Sequence, residues 1–309
     1  MEKYSDKLRQ ILQATGWSQE TLAGELGISF VTLNAWVNEK SEPREGAKEK
    51  IDLVFADVMG RDFINREELK NLKVQALDYK CNAKKISIDK FLLEKITTSL
   101  TYHSNGTEGS TMTEKDVEAV IFENQVLRNR SAVEQREAIN HQTALFFLLD
   151  ELVLRGADFT FTSELVKAVH LRMMNGIVSD AGAWRNHGVR VTGSRVARAN
   201  YAKIPELIDN WCNAANSETM DKIGLLASTH AEFERIHPFS DGNGRTGRLL
   251  LFALALKLNL APPILYKEKR EAYYKYLELA NDREVTDPLE FLIAQGVIDM
   301  GKRIKNSGV

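Results

Sequence analysis

Cysteine is scarce in this sequence: the 309 residues contain two, Cys81 and Cys212, far apart in the chain. Two lone thiols are typical of a reducing compartment, so we expect no disulfide framework. No apolar run reaches bilayer length, and the charged stretch from Met1 to Lys7 is unlike a signal peptide. We therefore expect a cytoplasmic protein with no membrane partner.

An excess of charge of one sign is also lacking, since 41 Lys and Arg face 43 Asp and Glu, a formal net charge of −2. This balance argues against a strongly basic nucleic-acid binder. We find no internal repeats and no low-complexity tract. A chain of this length buries a substantial core and favours two domains.

The most informative stretch is His237–Arg248, which reads HPFSDGNGRTGR. A segment with helical spacing precedes it, and an almost wholly apolar segment, Leu249–Lys257, follows it and is typical of a buried helix. Pro238 cannot continue the first helix, and the glycines of the stretch permit turns closed to other residues. The pattern predicts a helix, a tight polar loop and the start of a second helix.

This arrangement suits phosphate, because free N–H groups at a helix start form an anion site. Glycines in Gly242-Asn243-Gly244 let the backbone approach a ligand closely. Arg245 and Arg248 share a helix face and can bind neighbouring phosphates. Asp241 is suited to Mg²⁺, and His237 can take up a proton. These are the parts of a phosphoryl- or nucleotidyl-transfer site.

Three other interpretations of the stretch are weaker. Gly242–Gly247 matches the dinucleotide fingerprint, with Glu268 downstream, but that fingerprint follows a strand and this one follows a helix. A Walker loop needs a lysine before Ser or Thr, and none is present in the stretch. The third is a glycine-rich interhelical turn with solvated charges, which leaves the convergence of reactive groups unexplained.

His237–Arg248 resembles the signature of the Fic family, His-Pro-Phe-x-Asp-Gly-Asn-Gly-Arg-x-x-Arg, at every fixed position. The resemblance implies an all-α fold with a Fic-type helical core, and AMP transfer from ATP to a protein Ser, Thr or Tyr hydroxyl. In that scheme His237 deprotonates the hydroxyl and Asp241 holds Mg²⁺. The Gly242-Asn243-Gly244 loop cradles the α- and β-phosphates, while Arg245 and Arg248 bind the outer ones.

Two further segments resemble parts of that family. Ser104-x-x-x-Glu108-Gly109 follows a helix predicted from Ile88 to Leu100 and resembles the Fic inhibitory motif, whose glutamate binds the second signature arginine, here Arg248. The alternative is a surface turn with a solvated Glu108. A short segment between glycines, in which apolar and polar residues alternate, resembles the Fic flap, a β-hairpin that docks the target. The segment consists of Val189, Arg190, Val191 and Thr192. The alternative is an ordinary loop.

Some side chains near these segments have more than one interpretation. Tyr273 or Tyr274 lines the adenine side or packs in the core. His141 and His170 belong to no ligand-spaced cluster, so we interpret them as packing or surface residues.

Residues 1–55 predict a small helical domain, with Ser18 and Ser29 as caps of two helices joined at Gly27. It resembles the Cro-like helix-turn-helix family. Asn34 is the residue suited to reading adenine. Since seven Lys and Arg face nine Asp and Glu up to Asp52, DNA binding and a role in docking or dimerisation both stay open.

We expect a connector at 56–86 and a Fic domain at 87–309, including the inhibitory segment at 88–109. The main hypothesis is a self-inhibited protein adenylyltransferase. The alternatives are a transcription regulator whose Fic domain senses nucleotide, and a Fic enzyme that transfers another group or removes AMP. The target protein, self-modification, the base of the nucleotide, homo-oligomers and the signal that relieves inhibition are left open by the sequence.

Overall fold

The computed structural model describes residues 3–59, 64–189 and 197–306. Within these ranges, every element of regular secondary structure is a helix. The helices, in chain order, are α1 Tyr4–Thr15, α2 Gln19–Leu26, α3 Phe30–Val37, α4 Glu45–Met59, α5 Arg66–Ala76, α6 Ala83–Ile88, α7 Lys90–Thr107, α8 Glu114–Ile121, α9 Ala132–Arg155, α10 Ser163–Met173, α11 Ile204–Asn216, α12 Lys222–Ile236, α13 Asn243–Lys257, α14 Arg270–Arg283 and α15 Asp287–Lys305. The all-α prediction is confirmed.

The predicted flap hairpin is not among these elements. Val189 belongs to no helix or strand, and Arg190, Val191 and Thr192 lie outside the described residues. The hairpin therefore stays a prediction.

Helices α1–α4 surround an apolar core of their own, whose largest members include Leu8, Leu33, Trp36 and Phe55. The predicted caps are confirmed, since the Ser18 and Ser29 side chains accept hydrogen bonds from backbone N–H groups three residues later. Between these helices, Gly27 has a φ of 65°, a conformation that glycine adopts without strain. Local turn chemistry thus places α2 and α3 as a helix-turn-helix pair.

The residues predicted as a connector form α5 and α6 and pack into the main core. Ala76, Cys81, Ala83 and Ile86 are buried in it. Gly301 of α15 leaves the space that the Tyr79 ring fills, and Tyr79 O accepts a hydrogen bond from Ala261 N at 2.8 Å. Because these contacts are long-range, the short-range pattern did not reveal the two helices. The domain limits stay predictions, and α4 runs continuously across residue 55.

The main core is built around α12 and α13, which pack against each other. Helix α13 is buried almost all round, as the apolar pattern after Arg248 predicts: every residue from Leu249 to Leu256 is buried. None of the described helices is both long and apolar enough to cross a membrane.

Helix α7 corrects one sequence prediction, because it does not end before Ser104 but runs on to Thr107. Ser104, Asn105 and Thr107 are buried, and Thr107 Oγ1 donates a hydrogen bond to His103 O at 2.9 Å. Packing against the core outweighs the weak helix propensity of these polar residues. As a result, Glu108 is the C-cap of α7.

Candidate functional site

The turn between α12 and α13 carries the signature residues. His237 caps α12 with φ 51° and ψ 61°, a left-handed backbone conformation that is uncommon for residues other than glycine. Gly242, with φ 74°, precedes α13. Strained backbone of this kind is often found at functional sites. The imidazole and the residues at the start of α13 line the same cavity.

Asn243 stabilises the turn from within. Its Oδ1 accepts a hydrogen bond from Phe239 N at 2.9 Å, and its Nδ2 donates to Phe239 O at 2.8 Å. The Phe239 ring is fully buried below the loop. Because the Asn243 amide is used in this way, the residue offers a ligand its backbone N–H rather than its side chain.

His170 supports the turn from outside. Its ring stacks on Phe239 with centroids 3.6 Å apart, its Nδ1 accepts from Gly182 N at 2.9 Å, and its Nε2 lies 2.9 Å from Asp241 O. Since Nδ1 is an acceptor, Nε2 carries the proton and donates it to Asp241 O. Burial lowers the pKa of His170 to about 4, so the ring is neutral at physiological pH. The sequence shows this residue only as a packing histidine.

Arg185 holds the other end of the turn. Its Nε donates to His237 O at 2.7 Å, its Nη2 donates to Ala199 O at 2.6 Å, and its backbone N donates to Pro238 O at 2.9 Å. The side chain is buried, and these contacts reach backbone carbonyls rather than a charged partner. No sequence signal reveals such a role, because a carbonyl is available at every residue.

His237 lines the cavity beside the turn. Burial and the nearby Arg198 lower the pKa of His237 to about 4, so the ring is neutral near pH 7. Its Nδ1 lies 3.3 Å from Glu234 O. When Nδ1 holds the proton and donates it to this carbonyl, Nε2 is left free to accept one.

Arg248 joins the turn to α7. Its Nη2 donates to Glu108 Oε1 at 2.6 Å, while its Nε donates to Ser104 Oγ and its Nη2 to Ser104 O, both at 3.0 Å. Burial tends to raise the pKa of Glu108, but the Arg248 guanidinium outweighs it and the pKa is lowered. A Cβ on Gly244 would collide with Glu108 Oε1, so glycine is required for this approach. Glu108 is thus an ionised partner of Arg248.

Arg245 has a different carboxylate partner, although it shares α13 with Arg248. Its Nη1 lies 2.5 Å from Glu137 Oε1 of α9, and its Nη2 lies 3.8 Å from Asp241 Oδ1. The Arg245 side chain is buried. The sequence gives no sign of Glu137, which lies 108 residues away in the chain.

Asp241 is the carboxylate available to a metal ion. Its side chain is 61% exposed, and Oδ1 accepts from Gly242 N at 2.6 Å. A carboxylate at the edge of an anion-binding loop fits Mg²⁺, which takes one or two carboxylates together with phosphate oxygens. Among the described residues, no group of three or more His, Cys, Asp or Glu could hold a metal by itself.

Glu234 is a site residue that the sequence analysis missed. It lies one helical turn before His237, lines the cavity, and its Oε1 is buried without a hydrogen-bond partner. Burial raises the pKa of Glu234 to about 7, although Arg248 opposes this. Its spacing of three residues from His237 is the one signal that the sequence contains.

One cavity of about 750 Å³, a volume typical of small-molecule sites, is lined by His237, Glu234, Asp241, Arg245 and Glu108. Tyr274 lines it, whereas Tyr273 is buried and bonds His230 Nε2 through its hydroxyl at 2.8 Å. Of the two tyrosines considered for the adenine side, Tyr274 therefore borders the cavity and Tyr273 does not. Leu53, Val54 and Asp57 of α4 also line this cavity.

Asn34, the predicted DNA-reading residue, lies far from these groups in the chain, on α3. Its Nδ2 donates to Gln19 Oε1 of α2 at 3.1 Å. Next to it on α3, Val31 is 75% exposed and Phe30 is 46% exposed. The amide is thus engaged within the domain, and the exposed start of α3 is largely apolar.

A histidine at the end of one helix thus lies beside a glycine loop and two buried arginines at the start of the next, on an all-α scaffold. Residues 160–255 match the model of the Fic/DOC family, and residues 8–47 match a helix-turn-helix family. The chain therefore contains a Fic/DOC domain preceded by a helix-turn-helix domain.

Among curated proteins, the chain is similar to Protein adenylyltransferase Fic of Drosophila melanogaster and of Culex quinquefasciatus, each 30% identical over 193 residues. The match covers 62% of this chain but only 39% and 38% of those relatives. The chain thus spans about two fifths of the length of the curated relatives it matches.

Solved structures show the same fold. Fic-1 from C. elegans superposes with a TM-score of 0.70 at 19% identity, covering 98% of this chain and 96% of that one. A Fic domain containing signaling protein from Bacteroides thetaiotaomicron superposes with a TM-score of 0.63 at 19% identity, covering 76% of this chain and 95% of that one.

Proposed function

We propose that this protein is a protein adenylyltransferase, which transfers AMP from ATP to the hydroxyl of a Ser, Thr or Tyr residue. The observation that carries the proposal is one cavity lined by a neutral His237 and the start of α13, with Glu108 at its wall bonded to the Arg248 guanidinium. The adenylyltransferase names of the curated relatives support it.

The reaction follows from these positions. His237 Nε2 accepts the proton of the target hydroxyl, whose oxygen attacks the α-phosphorus. The bond from that phosphorus to the bridging oxygen breaks, and pyrophosphate leaves. Backbone N–H groups at the start of α13 stabilise the charge that develops on the phosphate oxygens. Asp241 would hold Mg²⁺, which neutralises phosphate charge when bound.

Self-inhibition is part of the proposal. Glu108 bonds the Arg248 guanidinium at 2.6 Å, the position that a terminal phosphate of ATP would need. A nucleotide must therefore displace this carboxylate or bind without Arg248. In the second case the α-phosphate is not aligned for attack.

Radiolabelled ATP tests the activity. We expect the Glu108→Gly variant to incorporate label from α-labelled ATP but not from γ-labelled ATP, and we expect His237→Ala in that background to abolish incorporation. Equal labelling with and without His237 would contradict the mechanism. Label from γ-labelled ATP would show phosphoryl transfer instead.

A second candidate is a nucleotide-sensing transcription regulator, favoured by the helix-turn-helix match at residues 8–47. The engaged Asn34 amide and the apolar start of α3 favour a docking or dimerising role over base reading. A mobility-shift assay with genomic fragments across salt concentrations separates the two, since phosphate contacts make DNA binding salt-dependent. Salt-sensitive shifts would support DNA as the partner.

A further inference from the structure

The cavity does not end at the turn between α12 and α13 but extends along α14 to helix α4, the fourth helix of the helix-turn-helix domain. Its lining runs from Gly242 and Arg245 past Arg270 and Tyr274 to Leu53. Along a helix, the separation from Arg270 to Asn281 at the far end of the lining corresponds to roughly 16 Å. This length exceeds what phosphate groups at the α13 end occupy.

Helix α4 is held in this position by two sets of contacts. On one face, Ile51 and Phe55 are buried in the core of the helix-turn-helix domain. On another, Ala56 packs with Leu279 and Val285 of the Fic part. The helix is therefore a shared element rather than a loosely attached neighbour.

Asp57 strengthens the junction. Its Oδ1 lies 2.8 Å from Lys275 Nζ and 3.3 Å from Arg283 Nη2, and its backbone O accepts from Arg283 Nη1 at 2.8 Å. Both partners belong to α14, which forms the side wall of the cavity. These contacts set the distance between α4 and the turn.

Leu53 is an α4 side chain that borders the cavity. It is half-buried, it lines the cavity, and it belongs to none of the apolar clusters of either domain. Its neighbour Val54 lines the cavity too but also packs against the helix-turn-helix core. A side chain with no core role that borders a cavity is available to a ligand.

The two ends of the cavity differ in chemistry. The α13 end offers backbone N–H groups and guanidiniums, which suit phosphates. The α4 end offers the apolar Leu53 and Val54 beside the polar Asp57 and Asn281, a mixture that suits the apolar faces and polar edges of a nucleoside. Resting on the adenylyltransferase function, we propose that the helix-turn-helix domain forms the nucleoside-side wall of the ATP site, with Leu53 as a residue that determines nucleotide affinity.

Paired ligands test this assignment. The titrations use full-length protein carrying Glu108→Gly, with α,β-methylene-ATP as one ligand and tripolyphosphate, which has no nucleoside, as the other. We expect Leu53→Ala to weaken binding of the ATP analogue about three- to tenfold, as loss of part of a leucine contact does. Tripolyphosphate affinity should stay unchanged, because its contacts lie at the α13 end.

Two further variants control the result. Val58→Ala removes an apolar side chain from the same helix, but Val58 packs against the helix-turn-helix core and lies outside the cavity lining. It should leave both affinities unchanged. Leu53→Trp should weaken the ATP analogue alone by filling the nucleoside end, and it tests the same wall without creating a void.

Each outcome supports or overturns the inference. Unchanged binding of the ATP analogue by Leu53→Ala and Leu53→Trp would overturn it, as would an equal loss of tripolyphosphate affinity. Equal weakening by Val58→Ala would assign the effect to loosening of α4 instead. If the Glu108→Gly protein with Leu53 unchanged bound no ATP analogue, the proposed function itself would fail, and this inference with it.

Discussion

Exchange of Glu108 for Gln is the sharpest test of the proposed self-inhibition. The substitution keeps the size of the side chain and an oxygen acceptor but removes the charge that faces Arg248 at 2.6 Å. Glu108→Gly then removes the acceptor as well. Because Ser104 continues to bond Arg248, neither change leaves the guanidinium without a partner.

The structure sets the expected size of the effect. A hydrogen bond between charged groups contributes about 1.5–3 kcal/mol net. The Arg248 side chain is 6% exposed but that of Glu108 is 31% exposed, so solvent screening reduces the value to about 1–2 kcal/mol. If a terminal phosphate must displace Glu108, its removal should tighten nucleotide binding about 5- to 30-fold.

Calorimetric titration with α,β-methylene-ATP measures this directly, and the rate of labelling from α-labelled ATP should follow the same order. We expect affinity to rise from the parent to the Gln variant and again to the Gly variant. Glu94→Gln is the matched control, since Glu94 lies on the same helix and pairs with the exposed Lys90 at 3.7 Å. Identical affinities for the parent, Glu108→Gln and Glu94→Gln would refute the inhibitory role of the carboxylate.

Three further predictions concern groups around the turn. Between about pH 4.5 and about 7 the folded protein keeps a proton on Glu234 that the unfolded chain has released, so its stability falls as pH rises, by at most about 3 kcal/mol. Glu234→Gln should remove this fall in urea unfolding at about pH 5 and about pH 8, and parallel curves for the two proteins would show an ionised Glu234. His170→Phe keeps a ring against Phe239 but leaves Asp241 O and Gly182 N without their partner, so it should cost about 1–3 kcal/mol of stability; an unchanged melting temperature would disprove the support role. Glu137→Gln leaves the buried Arg245 charge uncompensated and should destabilise the protein by about 3 kcal/mol in urea unfolding, with no change arguing that Asp241 takes over the pairing.

The sequence by itself determined the elements whose causes are local. Caps at Ser18 and Ser29, the glycine turn between α2 and α3, and the apolar α13 all follow from residues within a few positions of one another. The turn from His237 to Arg248 is of the same kind, because Pro238 ends one helix and Gly242 precedes the next.

Only the tertiary structure decided which groups meet at that turn. Arg245 faces Glu137, and Glu234 Oε1 is buried without a hydrogen-bond partner, because helices distant in the chain pack together there. The extension of α7 to Thr107 and the α4 wall of the cavity have the same origin. The contact of Arg248 with Glu108 was expected only from the family resemblance, and residue spacing does not predict it. Helical periodicity shows which face of a helix is buried, but the partner of that face depends on packing between helices that sequence spacing does not encode.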